Sequence, residues 1–214
     1  MNLWQDFKSN NGKIIHKWMH YFPIYEKHFS SWRNKNVTFL EIGIQRGGSL
    51  QMWQKFFGPL ATIVGVDIDK TCESHAEDNI HVRIGDQTNI QFLKSLVDEF
   101  GPFDIVLDDG SHKMEDVYKT FEFLYPKISK NGIYVVEDLH TAYWEEFGGG
   151  LNVEKTFINL SKNLIDDLNA HHSRGAVEPS FITENTFSIA FYDSVIVYER
   201  GRIPNRKSLV TGTK

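Results

Sequence analysis

Acidic residues close one apolar run after another in this chain. They fall at Glu41, at Asp67, at Asp86, at the pair Asp108–Asp109 and at the pair Glu137–Asp138. In an open parallel sheet, ligands bind beyond the carboxyl ends of the strands, so these are the residues to examine. After Glu41 comes a loop, Gly43 to Gly48, that reads G-x-x-x-G-G and not the dinucleotide G-x-G-x-x-G. Glycine there permits a positive φ and a close backbone approach; taken alone, the loop reads equally well as a plain strand-to-helix turn. Asp67 stands where an acid can accept hydrogen bonds from both ribose hydroxyls. Asp86 and Gln87 offer a carboxylate and an amide to an adenine edge. Together they point to an adenosine-containing cofactor. Arg46 is the loop's one cation, which disfavours a pyrophosphate and tilts the reading from NAD to S-adenosylmethionine.

These residues need strands and helices to hold them. The segments 37–43, 62–69, 80–86, 103–110 and 132–138 read as buried strands. Between them lie amphipathic helices: Leu50, Trp53 and Phe57 share one face, as do Ile90, Leu93, Val97 and Phe100, and as do Met114, Val117, Phe121 and Leu124. A further helix is expected over 153–168, with Val153, Phe157, Leu160, Leu164 and Leu168 in phase. Residues 186–201 read as two strands with a tight turn near Tyr192–Ser194. Alternating strands and helices imply an α/β fold, a doubly wound and mostly parallel sheet covered on both faces, with antiparallel pairing at one edge. Residues 1–36 read as a helical N-terminal cap, with short helices over 13–35 broken near Pro23, and residues 37–214 as the cofactor-binding domain.

Length and charge narrow the function. A chain of 214 residues suits one domain with a sizeable core. A net charge of −5 argues against a nucleic-acid surface. Arg200, Arg202, Arg206 and Lys207 read as a solvated basic tail. Cys72 is the only cysteine, so no intrachain disulfide forms, which fits the cytoplasm. No apolar run reaches membrane-spanning length.

The stretches "LEIGIQRGGSLQMW", "GVDID", "IGDQ", "LDDGSH" and "VEDLHTAYW" resemble the class I S-adenosylmethionine-dependent methyltransferases, and among them the metal-dependent sugar O-methyltransferases that act on glycosylated macrolides and bacterial surface sugars. The resemblance covers roughly residues 37–200 and implies a Rossmann-like, seven-stranded sheet whose last strand is antiparallel. It implies a metal site of Asp109, Glu137 and Asp138 for Mg²⁺ or Mn²⁺, and His112 as general base. It places Glu41, Gly43, Gly47, Ser49, Asp67, Asp86, Gln87 and Asp108 at the cofactor. Three carboxylates suit a hard octahedral cation. Successive residues of a strand point to opposite faces, so Glu137 and Asp138 can meet one ion only if the chain leaves β geometry there.

His140, Tyr143 and Trp144 follow at once and could line the acceptor site, or simply pack a loop onto the core. A small-molecule or nucleotide-linked sugar is the expected partner, and a homo-oligomer the expected assembly. Alternatives are a catechol-like phenolic acceptor, or a non-catalytic adenosine-cofactor-binding module. An Fe(II) oxidoreductase fits less well, because that chemistry wants two histidines and one acid. His16, His20 and His28 read as packing groups. Gly148–Gly150 could let a lid move, and in the stretch 171–186 His171, His172 and Arg174 read equally as contacts to an acidic substrate group or as part of an exposed loop.

Overall fold

The structure is a computed structural model that describes residues 2–201 and 206–213. Seven strands form one sheet in the order β3-β2-β1-β4-β5-β7-β6. They are β1 (Thr38–Ile42), β2 (Thr62–Asp67), β3 (Ile80–Ile84), β4 (Ile105–Asp108), β5 (Ile133–Val136), β6 (Thr186–Tyr192) and β7 (Val195–Arg200). The first five are parallel; β7 runs antiparallel to both β5 and β6. The winding reverses between β1 and β4, which makes the carboxyl ends of those two strands the switch point where ligands bind.

Alternation along the strands sorts the core into two layers. Phe39, Ile63, Ile105, Leu107 and Val135 face one side with α1 (Leu3–Lys8), α2 (Phe22–Phe29) and α3 (Gly48–Phe57). Leu40, Val64, Val106, Tyr134 and Val136 face the other with α4 (Ile90–Phe100), α5 (Met114–Leu124) and α6 (Phe157–Leu168). The first layer is dominated by rings. Trp53 of α3 lies against Tyr25 and Phe29 of α2 and against Phe39 of β1. The N-terminal helices therefore share a core with the sheet.

Several local expectations need correction. Pro23 opens α2 within its first turn and does not break it, because a helix start has no amide to lose there. Helix α1 was not expected; Asn2 and Gln5 form a capping box at its start. Residues 13–18 run without helical structure as a strap. Helix α6 begins at Phe157, capped by Thr156, so Val153 precedes it and is exposed. Ile90 also faces solvent, since it occupies the first turn of α4. The stretch 171–186 contains a short helix, α7 (Phe181–Asn185), capped by Ser180. Arg200 is not a solvated tail residue: its guanidinium donates to the carbonyls of Pro126 and Ile128. Arg206 donates to the Thr183 carbonyl, and Arg202 lies outside the described residues.

Candidate active site

Parallel register brings the acids together. Ile42 pairs with Asp108, and Asp108 with Val136, so the residues after β4 and β5 stand level. The amide of Asp109 donates to the Ile42 carbonyl and that of Glu137 to the Asp108 carbonyl. Period two then puts Glu41, Asp109 and Glu137 on the face covered by the N-terminal segment, and Asp108 on the other. Into the first cluster reaches Lys17, from the strap. Its Nζ lies 2.6 Å from Asp109 Oδ2, 2.9 Å from Glu137 Oε2 and 3.2 Å from Glu41 Oε1. The Lys17 side chain is 3 % exposed. Burial pulls its ammonium down, but Asp109 and Glu137 outweigh it and hold the group charged. Burial pushes Asp109 up against the pull of Lys17, and Glu137 up to about 8 against the same pull. Three carboxyl groups thus lean on one amine.

Asp138 leaves β geometry as required: its φ of 54° is left-handed, a strained value for a non-glycine residue. The turn swings its carboxylate to Tyr21 Oη, which donates to Oδ1 at 2.6 Å, and to His112, whose Nε2 lies 3.8 Å from Oδ2. His112 is likewise left-handed, with φ of 59°. One ligand atom each from Asp109, His112 and Asp138 fall within 4.8 Å of one another. The expected third carboxylate, Glu137, is not in this group. Its two oxygens accept from Tyr25 Oη and from Lys17, and it is buried. Strand alternation turned it inward, away from Asp138. The donor set nonetheless fits a hard cation: carboxylate oxygens predominate, and a positive charge already stands among them.

The cofactor side is more internally bonded than expected. Each glycine of the loop meets the protein itself. A Cβ on Gly43 would fall 2.0 Å from the Asp109 carbonyl oxygen, one on Gly48 2.4 Å from that of Ile14, and one on Gly47 against the His75 ring. The close approach that these glycines permit is therefore made first by β4's end and by the strap. Ser49 donates to Glu41 at 2.6 Å. Gln87 is buried, donating to Asp108 and Thr120 and accepting from the Ser111 amide, so both of its amide hydrogens are already used within the protein. Asp108 is buried too, pushed up to about 7 by desolvation. Glu41, Ser49, Gln87 and Asp108 are thus scaffold around the site in this structure. Asp86 is exposed and accepts from Thr88. Asp67 Oδ2 accepts from the amides of Ile44 and Gln45, and Oδ1 from that of Asp69. A carboxylate has about four acceptor positions, so one remains for a ribose hydroxyl. Asp67 lines a cleft of about 730 Å³ with Lys13, Gln45, Arg46 and His75, within the size range of small-molecule sites. A smaller recess, between Ile14–Lys17 and Gly43–Arg46, leads from it to Asp109.

On the other flank, His140 Nδ1 meets Ser194 Oγ at 2.7 Å, and its ring lies edge-on to Trp144 and to Trp18. Tyr143, Trp144 and Trp18 are about half exposed. Among the histidines read as packing groups, His28 is buried between Glu199 and Tyr192, whereas His16 and His20 are exposed. Lys17, Trp18, Tyr21 and Tyr25 were not singled out from the sequence. Their signal was the four-residue spacing of Lys17, Tyr21 and Tyr25 inside an aromatic segment.

A doubly wound sheet with its antiparallel strand inserted next to the edge is the class I methyltransferase fold. A family described as a methyltransferase domain matches residues 40–139. The chain has the fold of the class I S-adenosylmethionine-dependent methyltransferases, and it is similar to sugar O-methyltransferases. The mycinamicin VI 2''-O-methyltransferase of Micromonospora griseorubida is 39% identical over 200 residues, 86% of this chain and 49% of that protein. The 8-demethyl-8-(2-methoxy-alpha-L-rhamnosyl)-tetracenomycin-C 3'-O-methyltransferase of Streptomyces olivaceus is 37% identical over 199 residues, 86% of this chain and 50% of that protein. The MycE methyltransferase, solved in complex with Mg, SAH and mycinamycin VI, superposes with a TM-score of 0.80 at 35% identity, over 95% of this chain and 55% of that one. The chain spans about half the length of the curated relatives it matches. Among the described residues no helix is long and apolar enough to cross a membrane.

Proposed function

We propose that this chain transfers a methyl group from S-adenosylmethionine to a hydroxyl of a sugar, carried on a glycosylated natural product or a bacterial surface polysaccharide, with a divalent cation, Mg²⁺ or Mn²⁺, at the acids. The observation that carries the reading is the convergence of Asp109, His112 and Asp138 at the switch point, beside the cleft that Asp67 lines. When bound, S-adenosylmethionine supplies an electrophilic methyl group and the ion lowers the pKa of the acceptor hydroxyl.

The chain's own residues do the rest. His112 accepts the hydroxyl proton at Nε2. Asp138, 3.8 Å away, stabilises the imidazolium that forms. The Tyr21 hydroxyl keeps Asp138 in its left-handed turn. Asp109 and Asp138 hold the ion, and Asp67 takes the ribose. The 13–18 strap lines the recess, and residues 1–36 serve as the cap on this face. Trp18, His140 and Trp144 form the aromatic flank on which a sugar ring stacks. The test is release of S-adenosylhomocysteine with a panel of glycosides and nucleotide-linked sugars, in Mg²⁺ and in EDTA. Metal-dependent release with a glycoside is expected. Release with a catechol and no glycoside would move the acceptor to phenols, and release undiminished by EDTA would remove the ion.

A further inference from the structure

Lys17 is the buried cation that the proposed reaction does not use. It sits on an extended strap, and its neighbours anchor that strap to other elements. Lys13 pairs with Glu77 at 2.6 Å and its amide donates to Gln51. Trp18 meets His140. Between these anchors the strap lies on Gly48 and lines the recess that leads to Asp109. Among the described residues the Lys17 ammonium ties the strap to the acids, taking one oxygen each from Asp109, Glu137 and Glu41.

We propose that Lys17 is a tethered cation that competes with the divalent ion for Asp109 and Glu137, so that metal binding and the seating of the 13–18 strap are thermodynamically linked. The inference rests on the metal reading above. An ion on Asp109 Oδ2 has a bond of about 2.1 Å, and the ammonium is 2.6 Å from the same oxygen. The two charges would then stand within about 5 Å, where their repulsion in a protein interior exceeds a factor of ten in affinity. Glu137, turned inward by strand alternation, is held there by Lys17 and Tyr25. With the ammonium withdrawn, one Glu137 oxygen is released on the face that Asp109 shares. The seated strap thereby gives the acids a counter-charge before the metal arrives.

The test is Mg²⁺ titration by calorimetry of wild type, Lys17→Met, Lys17→Arg and Asp109→Asn. Lys17→Met keeps the stem and removes the charge, and it should bind Mg²⁺ at least tenfold more tightly than wild type. Lys17→Arg should stay within about threefold of wild type. Equal or weaker binding by Lys17→Met, or a gain by Lys17→Arg matching that of Lys17→Met, would overturn the competition. Should Lys17→Met fail to fold, amide hydrogen exchange in wild type decides: Mg²⁺ should speed exchange across 13–18, and unchanged or slower exchange overturns the proposal. The metal reading fails separately, when wild type binds no Mg²⁺ or when Asp109→Asn binds it as wild type does.

Discussion

At the scale of single residues, the site is a problem of charge. Buried carboxylates are tolerated only where something positive answers them, and here the answer comes from one lysine and, in the proposed reaction, an ion. In the proposed reaction His112 has a separate task, proton acceptance, that a substitution isolates. His112→Ala should bind S-adenosylhomocysteine with wild-type affinity while turnover falls by about 10²–10⁴-fold, measured as product release at saturating Mg²⁺. Unchanged turnover would remove it as the base.

A second residue pair, far from the acids, ties the cap to the sheet. His28 Nδ1 lies 2.8 Å from Glu199 Oε1, and this contact holds the Glu199 carboxyl below its ordinary value of 4.5. A depressed carboxylate stabilises the fold fully above the unfolded pKa and loses that contribution as pH falls through the folded one. Glu199→Gln should therefore lower the melting temperature at pH 7 by about 2–4 °C, corresponding to about 1 kcal/mol. The two proteins should converge as pH falls well below 4.5. A gap that persists at pH 3 would show that the contact does not depend on the charge.

At the scale of elements, the strap and the glycine loop determine one another. Gly48 begins α3 with the carbonyls of Lys13 and Ile14 within 2.5 Å of where its Cβ would be. Gly48→Ala must lift the strap. It should cost about 1–3 kcal/mol and weaken S-adenosylhomocysteine binding, both readable from melts with and without ligand. A stable variant with unchanged affinity would separate the strap from the cofactor site. The helices α3 and α5 were legible because their apolar phase is complete: Leu50, Trp53 and Phe57, and Met114, Val117, Phe121 and Leu124, are all buried. The start of α6 was not, since Val153 extends the periodicity past the point where Thr156 caps the helix. The strap was read as helix because it was taken with α2 as one stretch rich in aromatics and His, and periodicity alone does not reveal which segment has a surface to lie on.

At the scale of the whole molecule, the first layer of the core is completed by residues from the chain's beginning. Tyr25 and Phe29 are fully buried against Trp53, Phe39 and Phe57. Each large buried ring contributes about 3–5 kcal/mol, against a total stability of about 5–15 kcal/mol. A variant lacking residues 1–29 should therefore give no cooperative melt and should bind a hydrophobic dye strongly. A sharp thermal transition in that variant would make the cap a separable accessory.

The sequence by itself determined the alternation of strands and helices, the antiparallel hairpin and the acids at the switch point. These follow from local periodicity and from the strand-end rule, which act over a few residues. It also set the condition under which Glu137 and Asp138 could meet one ion, that the chain leave β geometry there, because two neighbours on a strand face opposite ways. Only the tertiary structure decided which acids meet. Register across β1, β4 and β5 set Glu41, Asp109 and Glu137 level, and a lysine 92 positions before Asp109 came to rest among them. Partnership at that distance is settled by how the strap crosses the finished sheet. The glycine loop was read as room for a ligand, and the fold shows that the chain itself makes the first close approach there.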